Sequence, residues 1–322
     1  MSGSPAKGRI PVTCLLGSSR KAKERLLGRL DASGLRVCVL SRDHLDLAPG
    51  MHLLSAPEAV AECSLGCPCC RVRLDLYLSL HREVSRRYPP DRVVIVASES
   101  TDPAPMLATI LCDHQLYSRL ALGPVITVVD AAQAAVRLAT DQTLAPDLVA
   151  QHLSVADVIV VLDSGSVTDV ARSTVFAALK ELNPFARLEV DMPGQPAHPF
   201  EVTNPFSLDT VARRLDGLAP APMQCRGGVL IELVGEGDSD ALRDWAQEMF
   251  SGPARNLLRF QAVCPVRGRS RRWACSGVRS FYIAGEVAPA DESGDRARIL
   301  ALGPDIDIEL LRESLASALR RS

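Results

Sequence analysis

Between Ile10 and Asn183, five short runs rich in Val, Ile and Leu alternate with longer stretches of helical pattern. The runs are Ile10–Leu16, Leu35–Leu40, Arg92–Ala97, Val125–Asp130 and Val158–Leu162. They are nearly continuous in apolar residues rather than alternating, as parallel strands buried on both faces require. Helical segments of ten or more residues lie between most of them. The pattern predicts an α/β fold, a mainly parallel, doubly wound sheet with helices on both faces.

Beyond this region Met192–Pro199 is rich in Pro and Gly, Asp209–Leu215 reads as a helix, and Ala219–Pro222 reads as a linker. A second module comes next. Gly228–Val234, Asn256–Pro265, Arg272–Gly285 and Ala297–Gly303 are strand candidates, and Asp238–Phe250 and Ile306–Arg320 are helix candidates. These intervals predict a smaller α+β domain, a sheet with helices on one face. The expected organisation is a flexible N-terminus over 1–9, a first domain over 10–200, a helix and linker over 201–224, and a second domain over 225–322.

The length of 322 residues suits two domains with separate cores. Lys and Arg total 36 against 38 Asp and Glu, a net charge of −2. That balance gives no electrostatic case for a nucleic acid or membrane surface as partner. No apolar run approaches the ~20 residues of a bilayer span, and Met1–Ile10 lacks the apolar core of a secretion signal. A cytoplasmic location is expected, where the ten cysteines are thiols or metal ligands rather than disulfides.

The segment Gly17-Ser18-Ser19-Arg20-Lys21-Ala22-Lys23-Glu24 comes after the first apolar run and precedes a helix read over Arg25–Leu30. This is the place of a phosphate-binding loop, GxxxxGK(S/T), whose glycines let backbone N–H groups wrap the phosphates. Gly17 and Lys23 keep the spacing. Ala22 replaces the second glycine and Glu24 the hydroxyl residue that binds magnesium. A carboxylate at that place repels a triphosphate and is no substitute for the short neutral ligand. Gly17 and Lys23 are thus the candidate cofactor-binding residues of a degenerate loop, able to hold an anion at a helix N-terminus. An exposed Lys23 paired with Glu24 or Glu99 is the preferred reading.

Further motifs fall in order along the chain: Glu62 with Gly66-Cys67-Pro68-Cys69-Cys70, then Val72-Arg73 and Asp75-Leu76; Asp102-Pro103-Ala104-Pro105; Val128-Val129-Asp130-Ala131; Ala156-Asp157-Val158-Ile159-Val160; and Leu182-Asn183-Pro184. Together with both halves of the chain they resemble the CobW family of metal-handling GTPases, cousins of the hydrogenase and urease nickel-insertion GTPases. The resemblance runs from Ile10 to the final helix. It implies a P-loop NTPase-like sheet followed by a CobW-type C-terminal domain. The family's GTP motifs are altered at each place. Val96 and Glu99 stand where the family has a glutamate and the glycine that approaches the γ-phosphate. Leu162-Asp163-Ser164-Gly165 aligns with the guanine-reading NKxD and ends without its carboxylate. The resemblance therefore implies a GTPase fold that has lost GTP hydrolysis and tight binding of GTP and magnesium.

Cys67, Cys69 and Cys70 are the candidate metal ligands, three thiolates within four residues suited to zinc. Cys63, His44, His52, Glu62 or water is the candidate fourth ligand. Asp102 and Asp130 read as turn and cap residues. Cys14, Cys38, Cys112, Cys225, Cys264 and Cys275 read as core, and the basic run Arg267–Arg272 as a solvated hairpin loop. The expected function is that of a CobW-like, zinc-binding protein, a zinc metallochaperone or homeostasis factor, whose C-terminal domain meets a client metalloprotein. The alternatives are an active metal-regulated GTPase and a pseudoenzyme scaffold that binds a protein partner.

Overall fold

Strands with apolar side chains on both faces need cover on both, and that requirement organises the first half of the chain. In the computed structural model the described residues are 9–31, 35–41, 45, 51–54, 60–62, 71–111, 113–140, 147–194, 197–201, 207–218, 223–225, 228–253, 257–278, 281–289, 296–303 and 306–320. The chain divides into two units, Met1–Pro205 and Phe206–Ser322.

The first unit runs β1 (Ile10–Gly17), α1 (Arg20–Asp31), β2 (Val37–Ser41), β3 (Met51–Leu54), β4 (Val60–Glu62), β5 (Arg71–Arg73), α2 (Leu74–Val84) and β6 (Arg92–Val96). It continues through α3 (Pro103–Leu111), α4 (His114–Arg119), β7 (Leu120–Asp130), α5 (Ala131–Ala139), α6 (Asp147–Val155), β8 (Val158–Leu162), α7 (Asp169–Leu182) and β9 (Arg187–Asp191). Seven strands form one sheet in the order β3-β2-β6-β1-β7-β8-β9, and all its pairings are parallel. Alternate residues of each strand serve opposite faces. Val158 and Val160 pack with Leu15, Leu26 and Leu27 on the α1 side, whereas Ile159 and Val161 pack with Leu153, Val175 and Leu179 on the α6–α7 side. The expected doubly wound sheet is therefore present, with β1 in the middle.

Two sheet strands, β3 and β9, lie outside the apolar runs. Both are edge strands, and β9 alternates Arg187-Leu188-Glu189-Val190-Asp191 with mostly half-buried positions. β4 and β5 form a separate antiparallel pair in which Glu62 faces Arg71.

The second unit contains α8 (Leu208–Asp216), β10 (Met223–Cys225), β11 (Gly228–Val234), α9 (Ser239–Ser251), β12 (Arg259–Pro265), β13 (Arg272–Val278), β14 (Phe281–Val287), β15 (Arg296–Leu302) and α10 (Ile308–Arg320). Its six strands form an antiparallel sheet in the order β10-β11-β15-β12-β13-β14. One face carries Ile231, Phe260, Cys264, Trp273, Cys275 and Ile299 into a core with Trp245 of α9 and Leu315 of α10. Helices were expected on that face alone. The alternate residues Arg272 and Arg298 instead reach α8 from the opposite face: Arg272 pairs with Asp216 at 2.8 Å, and the Arg298 guanidinium donates to the Leu215 carbonyl. α8 thus packs on the far side of the second sheet. It belongs to that unit rather than to a connection. Arg272 is correspondingly buried, which corrects the view of Arg267–Arg272 as wholly solvated; Arg269 and Arg271 are exposed at the turn and face Glu286.

Candidate functional site

The strand–turn–helix of β1 and α1 sits at the centre of the parallel sheet, where a nucleotide's phosphates lie in a P-loop fold. Here the helix starts at Arg20, five residues before the sequence suggested, so only Ser18 and Ser19 link it to Gly17. The cause is local. Ala22, in place of a glycine, favours helix by about 1 kcal/mol. Ser19 takes the N-cap position, its Oγ accepting from the Ala22 amide at 3.3 Å and its carbonyl from the Lys23 amide at 3.1 Å. Arg20 and Glu24 add an i,i+4 pair at 2.9 Å. The amides of Ala22 and Lys23, which a phosphate-wrapping loop leaves open, are therefore bonded within the chain.

Lys23 is buried rather than exposed. Its Nζ donates to the Ala97 carbonyl at 2.8 Å, at the end of β6. Glu24 pairs with Arg20, and Glu99 is exposed on the segment after β6. The expectation of an exposed Lys23 is corrected accordingly: the side chain is buried, and the Ala97 carbonyl accepts from its Nζ. Gly17 has φ 116°, and a Cβ there would lie 2.2 Å from the Val128 carbonyl oxygen. The close approach of β1 to β7 requires a glycine whatever is bound.

The loop after β8 is also engaged with itself. Asp163 is fully buried, accepting from the Gly165 amide at 2.8 Å and pairing with Arg172 Nε of α7 at 2.7 Å. Burial works against its charge, yet these two donors hold its carboxyl below the ordinary value. Gly165 is exposed with φ +84°. A GTP site thus finds neither a neutral magnesium ligand at Glu24, nor open amides at Ala22 and Lys23, nor a carboxylate at Gly165.

Other motif residues hold the fold together. Asp130 caps α5 through the Gln133 amide at 3.0 Å, and Asp102 accepts from the Ala104 amide at 2.9 Å, as the sequence suggested. Asp157 accepts from the Val125 amide at 3.0 Å. Asn183, fully buried, donates to the carbonyls of Leu153, Ser154 and Ala156 and accepts from the amides of Phe185 and Ala186. It ties α6 to the start of β9. Sequence reasoning overlooked His152 altogether. It is fully buried on α6, and its Nε2 lies 2.7 Å from the Thr101 carbonyl. Burial pushes its pKa down, against that hydrogen bond, and nearby Lys23 lowers it further. One histidine in an ordinary helix gave no signal.

Cys67, Cys69 and Cys70, with Cys63 and His44, lie outside the described residues; His52 and Glu62 stand on β3 and β4, where the backbone alone is described. Among the described residues no group of three or more His, Cys, Asp or Glu is placed to hold a metal ion. Cys14, Cys38, Cys264 and Cys275 are buried free thiols. Burial raises Cys38 and Cys264 to about 12 and raises Cys14 and Cys275 as well, so none is a ready thiolate. Cys112 and the side chain of Cys225 also lie outside the described residues. Among the described residues no helix is long and apolar enough to cross a membrane.

A seven-stranded parallel sheet with a strand–turn–helix at its centre and helices on both faces, followed by an antiparallel α+β unit, defines a protein of the P-loop GTPase-like fold. The chain belongs to the CobW/HypB/UreG nucleotide-binding-domain family, whose profile matches residues 12–188, more than half its length. The Zinc chaperone CobW of a Sinorhizobium species is 30% identical over 145 residues, 42% of this chain and 41% of that protein. The chain thus spans less than half the length of this curated relative. Among solved structures, the Zn(II)-bound YjiA GTPase from E. coli matches with a TM-score of 0.69 at 20% identity, over 97% of this chain and 99% of that one. A Zn(II)-bound triple mutant of the YjiA GTPase matches equally well. At that identity the likeness is one of fold.

Proposed function

We propose that the protein is a zinc-handling member of its family, a metallochaperone or zinc-homeostasis factor, that works without a GTP cycle. Zinc is its cargo, and Cys67, Cys69 and Cys70 are the ligands. The observation that carries this reading is the β4–β5 ladder. Its Glu62–Arg71 pair brings together the two ends of the segment holding all three thiols, and short ligand separations favour one soft tetrahedral ion. The family profile and the zinc-chaperone relative support the same metal. The early start of α1, the buried bond of Lys23 to Ala97 and the closed loop at Asp163 support the absence of nucleotide turnover. A client metalloprotein, met by the C-terminal unit, receives the ion.

The test is zinc content. Reduced protein is expected to bind about one zinc ion. Replacing Cys67, Cys69 and Cys70 together by Ser removes it, whereas Cys14→Ser or Cys264→Ser leaves it unchanged. Equal zinc in the triple variant and the parent overturns the assignment.

A further inference from the structure

The segment between β6 and α3, Ala97–Asp102, occupies the place where the resemblance puts the γ-phosphate-contacting residues. Two side chains from elsewhere in the first unit grip it. Lys23, rising from α1, donates through Nζ to the Ala97 carbonyl at 2.8 Å in a buried bond. His152, on α6, bonds through Nε2 to the Thr101 carbonyl at 2.7 Å, also buried. Neither anchor is loose. The His152 carbonyl accepts from Thr127 Oγ1 of β7 at 2.7 Å, and the Ala97 amide donates to the Leu15 carbonyl of β1 at 3.0 Å. The grip closes a turn that also bonds itself, with the Thr101 amide donating to the Ser98 carbonyl at 3.1 Å and the two hydroxyls 2.7 Å apart.

This turn leads directly into α3. That helix is buried along most of its length, Met106 and Leu107 completely, and it packs against β5, the strand immediately after the cysteine segment. A displacement of Ala97–Asp102 must therefore move α3, and α3 does not move without β5, because a packed interior transmits rather than absorbs a shift.

We propose that Lys23 and His152 form a two-point internal latch that holds Ala97–Thr101, and through α3 the strand β5, in one position with no ligand bound. In a nucleotide-driven relative this turn would be free to answer the γ-phosphate. Here a lysine and a histidine of the chain itself take that part, so the position of β5 is set by folding. The latch rests on the nucleotide-independent function proposed for this chain, but its test needs neither metal nor nucleotide.

The experiment is native-state amide exchange on metal-free, full-length protein, comparing the parent with Lys23→Met, His152→Asn and, as a control of ordinary core damage, Val175→Ala. Loss of one buried bond to a backbone carbonyl should speed exchange by about 10-fold where it acts. The latch predicts this increase in Ala97–Leu111 and in Arg71–Arg73 together, with β8 and β9 as in the parent, whereas Val175→Ala speeds exchange at β8. Faster exchange confined to Ala97–Asp102, with Arg71–Arg73 as in the parent, overturns the link to β5. A pattern the same as that of Val175→Ala overturns the latch. Should Lys23→Met not fold, His152→Asn decides the same outcomes from the other anchor. Added Mg-GTP altering the parent's exchange at Ala97–Asp102 would strike the nucleotide-free function, while leaving the variant comparison to judge the latch.

Discussion

Gly17 keeps the spacing of a phosphate loop, yet the contact that demands a glycine is with β7. A methyl group 2.2 Å from the Val128 carbonyl, at φ 116°, forces the two central strands apart. Gly17→Ala is therefore expected to destabilise the protein by more than about 1 kcal/mol, read as a lower urea midpoint at constant m-value; an unchanged midpoint would show that the strands yield freely. His152 gives a second prediction at this scale. Its folded pKa is depressed, chiefly by burial and further by Lys23, with Asp102 and Glu99 pulling the other way. A depressed base contributes stability that is fully present above the ordinary histidine value of about 6.5 and is lost as pH falls from there through the folded value. The parent should accordingly lose more stability between about pH 7.5 and about pH 5.5 than His152→Gln does. Equal losses in both proteins would assign the pH dependence to other groups. Neither role was legible in the sequence, because a motif's spacing does not reveal which atoms a glycine must avoid, and burial of one histidine depends on strands far along the chain.

At the scale of elements, the parallel strands were legible where both faces are buried, as in β1, β6 and β8. The edge strands β3 and β9 were not: the half-buried positions of β9 admit Arg and Glu and break the apolar run, and β3 is four residues long. Helix α1 was placed too late because loop residues were read through the motif. Read by propensity, Ser19 followed by Arg-Lys-Ala-Lys-Glu is a capped first turn. That difference is testable by reversal. Ala22→Gly with Glu24→Thr should weaken the first turn, reopen its amides and place a hydroxyl where a magnesium ligand belongs, giving triphosphate binding tighter than the parent's. Base selectivity should stay poor, because Gly165 still presents no carboxylate. A double variant that folds and binds no triphosphate would mean that Lys23 and Ser19 hold the turn closed on their own. In the second unit, Arg272 was read into a basic loop because its neighbours are arginines. Its strand position turns it inward to Asp216, and only the pairing of β13 reveals that.

Across the first unit, several motif residues serve the scaffold: Asp102 and Asp130 bond the first turns of α3 and α5, and Asp157 and Asn183 bond backbone groups of neighbouring elements. The residues read in the sequence as departures from the family's motifs, Ala22, Glu24, Val96, Glu99 and Gly165, fall at positions expected to face a nucleotide. A fold can keep its scaffold while its ligand groups change, because the two sets of residues satisfy different atoms. Cys67, Cys69 and Cys70 were singled out by residue type, spacing and motif order; they lie outside the described residues, between β4 and β5 in the chain, and β5 packs against α3. Whether this segment handles zinc without a nucleotide cycle is decided by a competitive zinc titration of the reduced protein, with and without saturating Mg-GTP. The predicted result is one zinc affinity, the same within about 2-fold in both conditions, since a ligand without differential binding shifts nothing. A zinc affinity that changes about 10-fold or more on adding Mg-GTP, and that does so in the parent but not in Lys23→Ala, would contradict it.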